Sequence, residues 1–185
     1  MGVFGLLVNW LYTQKVEDAG DPYVRVAELA KLWTLAQRFI MPALQNDAMT
    51  QIPETLNYYM ELRTEAEDPE EWFLAELGAT ISKDINTWCA IAYTVKEMTA
   101  LKRYSLDRIL SGACHDGKLD EGSKEVPESI TRFCLFAGGK SMVEDFSMVL
   151  AKHCSDLQVD KKNHPWKFWL HLADYMVPVQ DRVRK

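Results

Sequence analysis

The sequence contains no apolar run long enough to cross a membrane, and its first residues are not expected to form a secretory leader. Its amino-terminal apolar stretch stops short of the roughly 20 residues that a transmembrane helix needs. The first basic residue, Lys15, follows this stretch, whereas a leader begins with basic residues and ends at a small-residue cleavage site. Leu6 stands where a myristoylation motif requires Ser or Thr. The segment is therefore predicted to belong to a protein core.

Cysteine is scarce, and no two cysteines form a C-x-x-C pair. The four are Cys89, Cys114, Cys134 and Cys154. Without a leader, this spacing indicates reduced thiols in an intracellular protein of the cytoplasm or nucleus. Cys114 with His115, and His153 with Cys154, could contribute to a metal site if the fold brought them together. Adjacent helical residues point in different directions, so each pair is a poor chelate and no metal is predicted.

The chain also lacks the basic face that binds nucleic acid. Its formal net charge is −6 at pH 7, and only the carboxy-terminal residues 181–185 are locally basic. Seven acidic residues against one base lie between Glu61 and Glu76, and the remainder of the chain is balanced. We interpret this acidic run as a solvated linker followed by a helix start, with an acidic docking patch as the alternative.

No motif of a known catalytic chemistry is complete. The sequence Gly-Gly-Lys-Ser at 138–141 precedes a predicted helix, but it lacks the spacing and the preceding strand of a phosphate-binding loop. His171 lies between two leucines on an aromatic segment and is predicted to be a half-buried core residue. A Cys–His pair would still need oxyanion donors and an orienting residue. We therefore predict no catalytic residue and no cofactor.

What the sequence does contain is helical periodicity along nearly its whole length. Its content of 48% hydrophobic and 26% charged residues is that of an ordinary folded protein. No convincing strand or internal repeat is present. The predicted fold is all-α, an irregular helical bundle of about seven to nine helices with no substantial sheet.

Helix boundaries are predicted from caps and prolines. Asp21 and Pro22 are expected to begin a helix, whose single apolar face consists of Val26, Leu29, Ala30, Trp33, Ala36 and Ile40. Pro42 is expected to start the next helix, and Pro53 to interrupt it.

Similar signals mark the second half of the chain. Asp68 and Pro69 are expected to start a helix that Gly78 can divide. Ser105 is expected to cap a helix ending at Gly112, and Ser141 to open a capping box. The last helix is predicted to begin at residue 165.

Two segments together resemble the closing helices of a BTB/POZ domain, particularly the large set in filamentous fungi. In "VFGLLVNWLYTQKV", the run Leu11–Thr13 matches the family's "LYTG" motif, with Gln14 in place of the usual Gly. In "VRVAELAKLWTLAQRFIMPALQNDAM", six positions match the family pattern "LAxxLxMPxLxN". They are Leu35, Ala36, Met41, Pro42, Leu44 and Asn46. The resemblance covers residues 3–52.

The resemblance implies a non-catalytic protein-interaction module, an adaptor or scaffold fragment. The family's domain normally begins with a strand, a long dimerising helix, a hairpin and further helices, so the helix from Val3 is expected to pack against preceding elements. The residues that usually engage a cullin-type ubiquitin ligase scaffold lie partly in that preceding half. The predicted organisation is a truncated BTB/POZ-like part at 1–62, an acidic linker at 63–71 and a helical extension at 72–185.

The first helix carries the predicted protein interface, formed by Phe4, Leu7, Trp10 and Leu11. Burying a large apolar side chain contributes about 1.5–3 kcal/mol, so an uncovered patch of this kind is expected to bind a protein partner or a second copy. The alternative is a self-contained helical domain with a ligand-binding or enzymatic role, in which Leu7 and Trp10 lie in the core. An exposed apolar face on the first helix would favour the module. A deep polar pocket with convergent His, Cys or acidic groups would favour the alternative.

Overall fold

The computed structural model describes residues 2–18, 23–64, 71–94, 99–115, 131, 134–135, 139–149 and 175–178. The helices within these ranges are α1 (Val3–Thr13), α2 (Val26–Arg38), α3 (Pro42–Thr64), α4 (Glu71–Ala92), α5 (Ala100–His115) and α6, described over 139–149. No strand occurs in this described part, which confirms the mostly helical prediction. A total of seven to nine helices stays a prediction. None of the described helices is both long and apolar enough to cross a bilayer.

The chain forms two compact units. The first consists of Met1–Ile91 and Leu172–Lys185, and the second of Ala92–His171. Most of α4 therefore belongs to the first unit. Within this unit, Asp84 of α4 accepts hydrogen bonds from the start of α2, as described below. The predicted boundaries at 1–62, 63–71 and 72–185 stay a prediction.

The core of the first unit lies where α2 packs against α1 and α3. The buried residues of α2 are Val26, Ala27, Leu29, Ala30, Leu32, Trp33 and Ala36. The matching side of α3 buries Leu44, Ala48, Met49, Ile52 and Leu56. This confirms the predicted apolar face of α2 except at Ile40, which follows the helix and is exposed. Spacings of three and four residues place each set on one helix face, so α2 and α3 bury their apolar sides together.

The second unit has a buried ion pair in its core. Lys102 of α5 is buried, and its Nζ lies 3.0 Å from Oδ2 of Asp145 in α6. The same Nζ lies 4.4 Å from the centre of the Tyr93 ring, which gives the charge a second favourable contact. Two apolar side chains of α6, Met142 and Phe146, are close to Asp145 in the sequence and are fully buried.

Helix α2 begins at Val26, and the predicted start at Pro22 is wrong because Tyr23–Arg25 are not helical. The residue before the helix supplies no side-chain cap. The cap comes instead from Asp84 of α4. Its Oδ2 accepts a hydrogen bond from the Val26 N–H at 2.9 Å, and its Oδ1 accepts one from the Ala27 N–H at 3.3 Å. Its carboxylate thus satisfies amide groups at the positive end of the α2 dipole.

Helix α3 continues through Pro53, so the predicted interruption there is also wrong. A proline inside a helix has no N–H for the carbonyl four residues earlier and costs about 3 kcal/mol. Residues on both sides of it, Ile52 and Leu56, are buried in the core. We attribute the intact helix to this packing, because tertiary burial overrides local helix propensity.

Helix α4 runs without a break across Gly78, and α5 extends beyond Gly112 to His115. Ser105 is not a cap: it lies inside α5, fully buried, where its hydroxyl donates to the Lys102 carbonyl at 2.7 Å. Ser141 lies within the helical residues 139–149 and does not start them. The predicted cap at residues 68–69 and the last predicted helix, from residue 165, lie outside the described residues.

Candidate protein-interaction surface

Helix α1 presents one side to the core of the first unit. Leu6, Leu7 and Trp10 are buried, with Leu7 and Trp10 only 5% and 7% exposed. The Trp10 indole N–H also donates to Oδ2 of Asp47 in α3 at 2.6 Å. A tryptophan held by both packing and a hydrogen bond fixes the rotation of α1 about its own axis.

The opposite side of α1 is apolar and exposed. Phe4 is 70% exposed, Leu11 54% and Tyr12 86%, and Val8 is half-buried between them. Val8, Leu11 and Tyr12 follow Phe4 by four, seven and eight residues, so all four side chains lie on one side of the helix. We call this set the outer face of α1: Phe4, Val8, Leu11 and Tyr12.

The structure divides the four residues that the sequence grouped as one interface. Phe4 and Leu11 lie on the outer face, whereas Leu7 and Trp10 contribute to the core and offer no free surface. The sequence prediction did not include Tyr12, although its spacing from Phe4 is a helical repeat that could have revealed it. When a helix is apolar on nearly all sides, its sequence alone does not show which side packs against the core.

A row of polar side chains on α3 holds α1 in place. Asp47, Gln51 and Thr55 follow one another at four-residue spacing along the helix. Gln51 Nε2 donates to the Val16 carbonyl at 2.6 Å, and the Thr55 hydroxyl donates to the Val24 carbonyl at 3.1 Å. Together with the Trp10–Asp47 bond, they fasten both α1 and the segment that follows it to α3.

Helix α1 ends in a left-handed residue that turns the chain back. Gln14 has φ 57°, and its backbone N–H donates to the Trp10 carbonyl at 2.8 Å. The Gln14 side-chain amide donates to the same carbonyl at 3.1 Å. Asn9 Nδ2 then donates to the Glu17 carbonyl at 3.2 Å, which folds the next residues against α1. The outer face is thus presented on a helix with a fixed end.

A cleft of about 300 Å³ lies beside α3. The described residues that line it are Gln14, Lys15, Val16, Glu17, Asp47, Thr50, Gln51 and Glu54. Two of its three carboxylates have partners, because Asp47 accepts the Trp10 indole and Glu17 lies 3.5 Å from Lys15. No His or Cys is among these residues, so this lining contains no Cys–His or Ser–His type of catalytic pair.

The described residues place no three His, Cys, Asp or Glu side chains where they could hold a metal ion. The side chains of the two Cys–His pairs considered from the sequence lie outside this description, as does His171. Cys89 and Cys134 are buried, and neither forms a disulfide within the part of the chain that the structure describes. Burial raises the pKa of Cys134 to about 11, so the thiol stays protonated at neutral pH and is a poor nucleophile.

A second exposed apolar pair follows α2. Phe39 and Ile40 both lie on the surface, and Ile40 has φ 55°. The Ile40 N–H donates to the Gln37 carbonyl at 3.2 Å, and the Met41 N–H to the Ala36 carbonyl at 2.9 Å. These two bonds form a Schellman motif, whose left-handed position usually holds Gly. An Ile there is strained by about 1–2 kcal/mol.

Comparison of the chain with protein-family models, with curated proteins and with solved structures gave no match.

Proposed function

We propose that this chain is a non-catalytic protein-interaction module that docks through the outer face of α1, and that the occupant of this face is a second copy of the chain. The observation that carries the proposal is the exposure of Phe4, Leu11 and Tyr12 along one side of a helix whose other side is fixed in the core. Exposed apolar sets of this kind release free energy when a partner covers them.

The charge of α1 supports a second copy as the occupant. No residue between Val3 and Thr13 is charged, although the chain as a whole carries a net charge of −6. Two α1 helices can therefore meet across a two-fold axis without placing like charges opposite each other. In an antiparallel pair, the Phe4 end of one helix lies beside the Tyr12 end of the other.

The size of the outer face sets the expected strength of this association. An 11-residue helix is about 16 Å long, and a pair of such helices buries less than the roughly 1,600 Å² of a standard interface. The dimer is accordingly weak and concentration-dependent. Reversible association of this kind suits an adaptor or scaffold fragment better than an obligate oligomer does.

The BTB/POZ resemblance, of the fungal type, is part of the proposal and gains support at two motif positions. Gln14 adopts the left-handed conformation that favours Gly, and Gly is the family's usual residue there. Pro42 is the first residue of α3, where a missing N–H costs nothing. The resemblance favours an intracellular protein-binding role.

The competing function, a self-contained helical domain with a ligand-binding or enzymatic role, needs convergent reactive groups. The cleft beside α3 brings together three carboxylates, and the two at Asp47 and Glu17 already have partners. Burial of Leu7 and Trp10 fits this competing function. The exposure of Phe4, Leu11 and Tyr12, together with the partnered carboxylates of the cleft, favours the interaction module that we propose.

Sedimentation velocity over a range of concentrations tests the proposal. The variant Phe4→Ser/Leu11→Ser removes two exposed side chains from the outer face. The matched control, Met60→Ser/Met148→Ser, removes two apolar side chains of comparable exposure from α3 and α6. We expect the wild type and the control to self-associate and the α1 variant to stay monomeric, with similar melting temperatures for all three. A wild type that stays monomeric, or a control that loses association equally, would contradict the proposal.

A further inference from the structure

Residues 175–178 lie against α3 through a reciprocal contact with Asn46. Asn46 Nδ2 donates to the Val177 carbonyl at 2.9 Å, and the Val177 N–H donates to Asn46 Oδ1 at 2.6 Å. One side-chain amide thus satisfies both backbone groups of a single residue, 131 positions away in the chain. This is the hydrogen-bonding pattern by which one β-strand pairs with a residue of its neighbour.

The contact defines what kind of chain fits beside Asn46. We call the residue bound by Asn46, here Val177, the clamped residue. Only its backbone atoms take part in the contact, so any residue except proline can supply them. Pro178 follows directly and restricts Val177 to an extended conformation. Tyr175, two positions earlier, is buried, whereas Met176 and Val177 are half-buried. The matching sequence is an aromatic residue, any residue, a clamped residue with a free N–H, and then proline.

We propose that Asn46 marks a recognition site for a peptide of this sequence whose backbone is extended at the residue bound by Asn46, and that residues 175–178 are its displaceable resident ligand. Recognition through backbone hydrogen bonds with one side-chain anchor is a recurring way of binding peptides in trans. A partner segment with the same features would compete with the chain's own segment for Asn46. The site uses none of the residues of the outer face of α1, so it is independent of the function proposed above.

The test uses Val177→Pro in the full chain, which removes the N–H that Asn46 accepts and leaves Asn46 and Tyr175 unchanged. Loss of this bond should speed chymotryptic cleavage after Tyr175 by about tenfold, measured by mass spectrometry. A fluorescent peptide with the sequence of residues 172–180 should bind this variant and not the wild type. The same peptide with proline at the clamped position should not bind, and Val177→Pro/Asn46→Ala should bind neither peptide.

Each result bears on one step of the proposal. Unchanged cleavage after Tyr175 in Val177→Pro would show that the clamp does not hold the segment. Fast cleavage without peptide binding would show that Asn46 contributes to intramolecular packing alone. Peptide binding that survives Asn46→Ala would remove Asn46 from the site.

If circular dichroism shows that Val177→Pro is unfolded, Pro178→Gly replaces it. This change lies at an exposed position and loosens the extended backbone without touching Asn46. It should give a smaller rise in cleavage after Tyr175 and weaker but measurable binding of the peptide. The absence of both effects in a folded Pro178→Gly chain would overturn the proposal.

Discussion

Replacing Asp84 by Ala should destabilise the first unit far more than a surface substitution does, because this carboxylate connects three helices. It accepts the N–H groups of Val26 and Ala27 at the start of α2, and the Tyr59 hydroxyl of α3 donates to it at 2.8 Å. Burial and the neighbouring Asp84 carboxylate raise the pKa of Tyr59, so the hydroxyl stays protonated and keeps this role as donor.

The magnitude follows from the three interactions that Asp84→Ala removes. Loss of an N-cap costs about 1 kcal/mol. Loss of a negative charge at the positive end of a helix costs about another 1 kcal/mol in a partly buried site. The Tyr59 hydroxyl, left without its acceptor in a half-buried position, adds about 1 kcal/mol. We therefore expect the free energy of unfolding to fall by about 3 kcal/mol.

Urea denaturation followed by circular dichroism measures this loss. Glu54→Ala removes an exposed carboxylate from α3 and is the matched control, with an expected change within about 0.5 kcal/mol. Tyr59→Phe tests the coupling, because Asp84→Ala should cost less in a chain that no longer carries the hydroxyl. The reasoning is refuted if Asp84→Ala destabilises no more than Glu54→Ala.

Three other predictions concern single sites. Ile40→Gly should raise the free energy of unfolding by about 1 kcal/mol, measured in urea, because it relieves a left-handed Ile that is almost fully exposed. Lys102→Met should cost about 3–5 kcal/mol by leaving Asp145 without its partner, and adding Asp145→Leu should recover most of that loss. Stability should fall as pH rises from 9 to 11, because Cys134 ionises near 9 in the unfolded chain and near 11 in the folded one. The raised pKa values of Tyr59 and Tyr104 add to this fall from about pH 10, so Cys134→Ala should flatten the slope mainly between pH 9 and 10.

Each of these has a distinct contradicting result. A less stable Ile40→Gly chain would mean that the Ile side chain packs more than its exposure indicates. A double variant of Lys102 and Asp145 that is as unstable as the single one would show that the ion pair is not the interaction lost. An unchanged pH slope between pH 9 and 10 in Cys134→Ala would show that Cys134 does not cause the loss of stability there.

The sequence predicted those parts of the fold that depend on local pattern. The apolar face of α2, from Val26 to Ala36, follows from residue spacing alone, and the start of α3 at Pro42 follows from the backbone chemistry of proline. Pro53 shows the limit of this approach: local chemistry favours a break there, and burial of the residues around it decides otherwise.

The interactions that the sequence did not predict join residues far apart in the chain. Asp84 caps a helix that starts 58 residues earlier, and Asn46 binds a residue 131 positions later. No spacing rule links such residues, because their proximity is a property of the completed fold. The orientation of α1 also depends on the completed fold. Periodicity identified its apolar residues but not the side that packs against the core.

Photo-crosslinking from the outer face of α1 tests the central claim most directly. The full chain is prepared with p-benzoylphenylalanine in place of Tyr12, the most exposed aromatic residue of this face. It is irradiated at a concentration where the wild type associates, and crosslinked peptides are identified by mass spectrometry. The account predicts dimers in which both peptides come from residues 2–15. Crosslinks from position 12 to another part of the chain, or no crosslinked dimer at all, would contradict it.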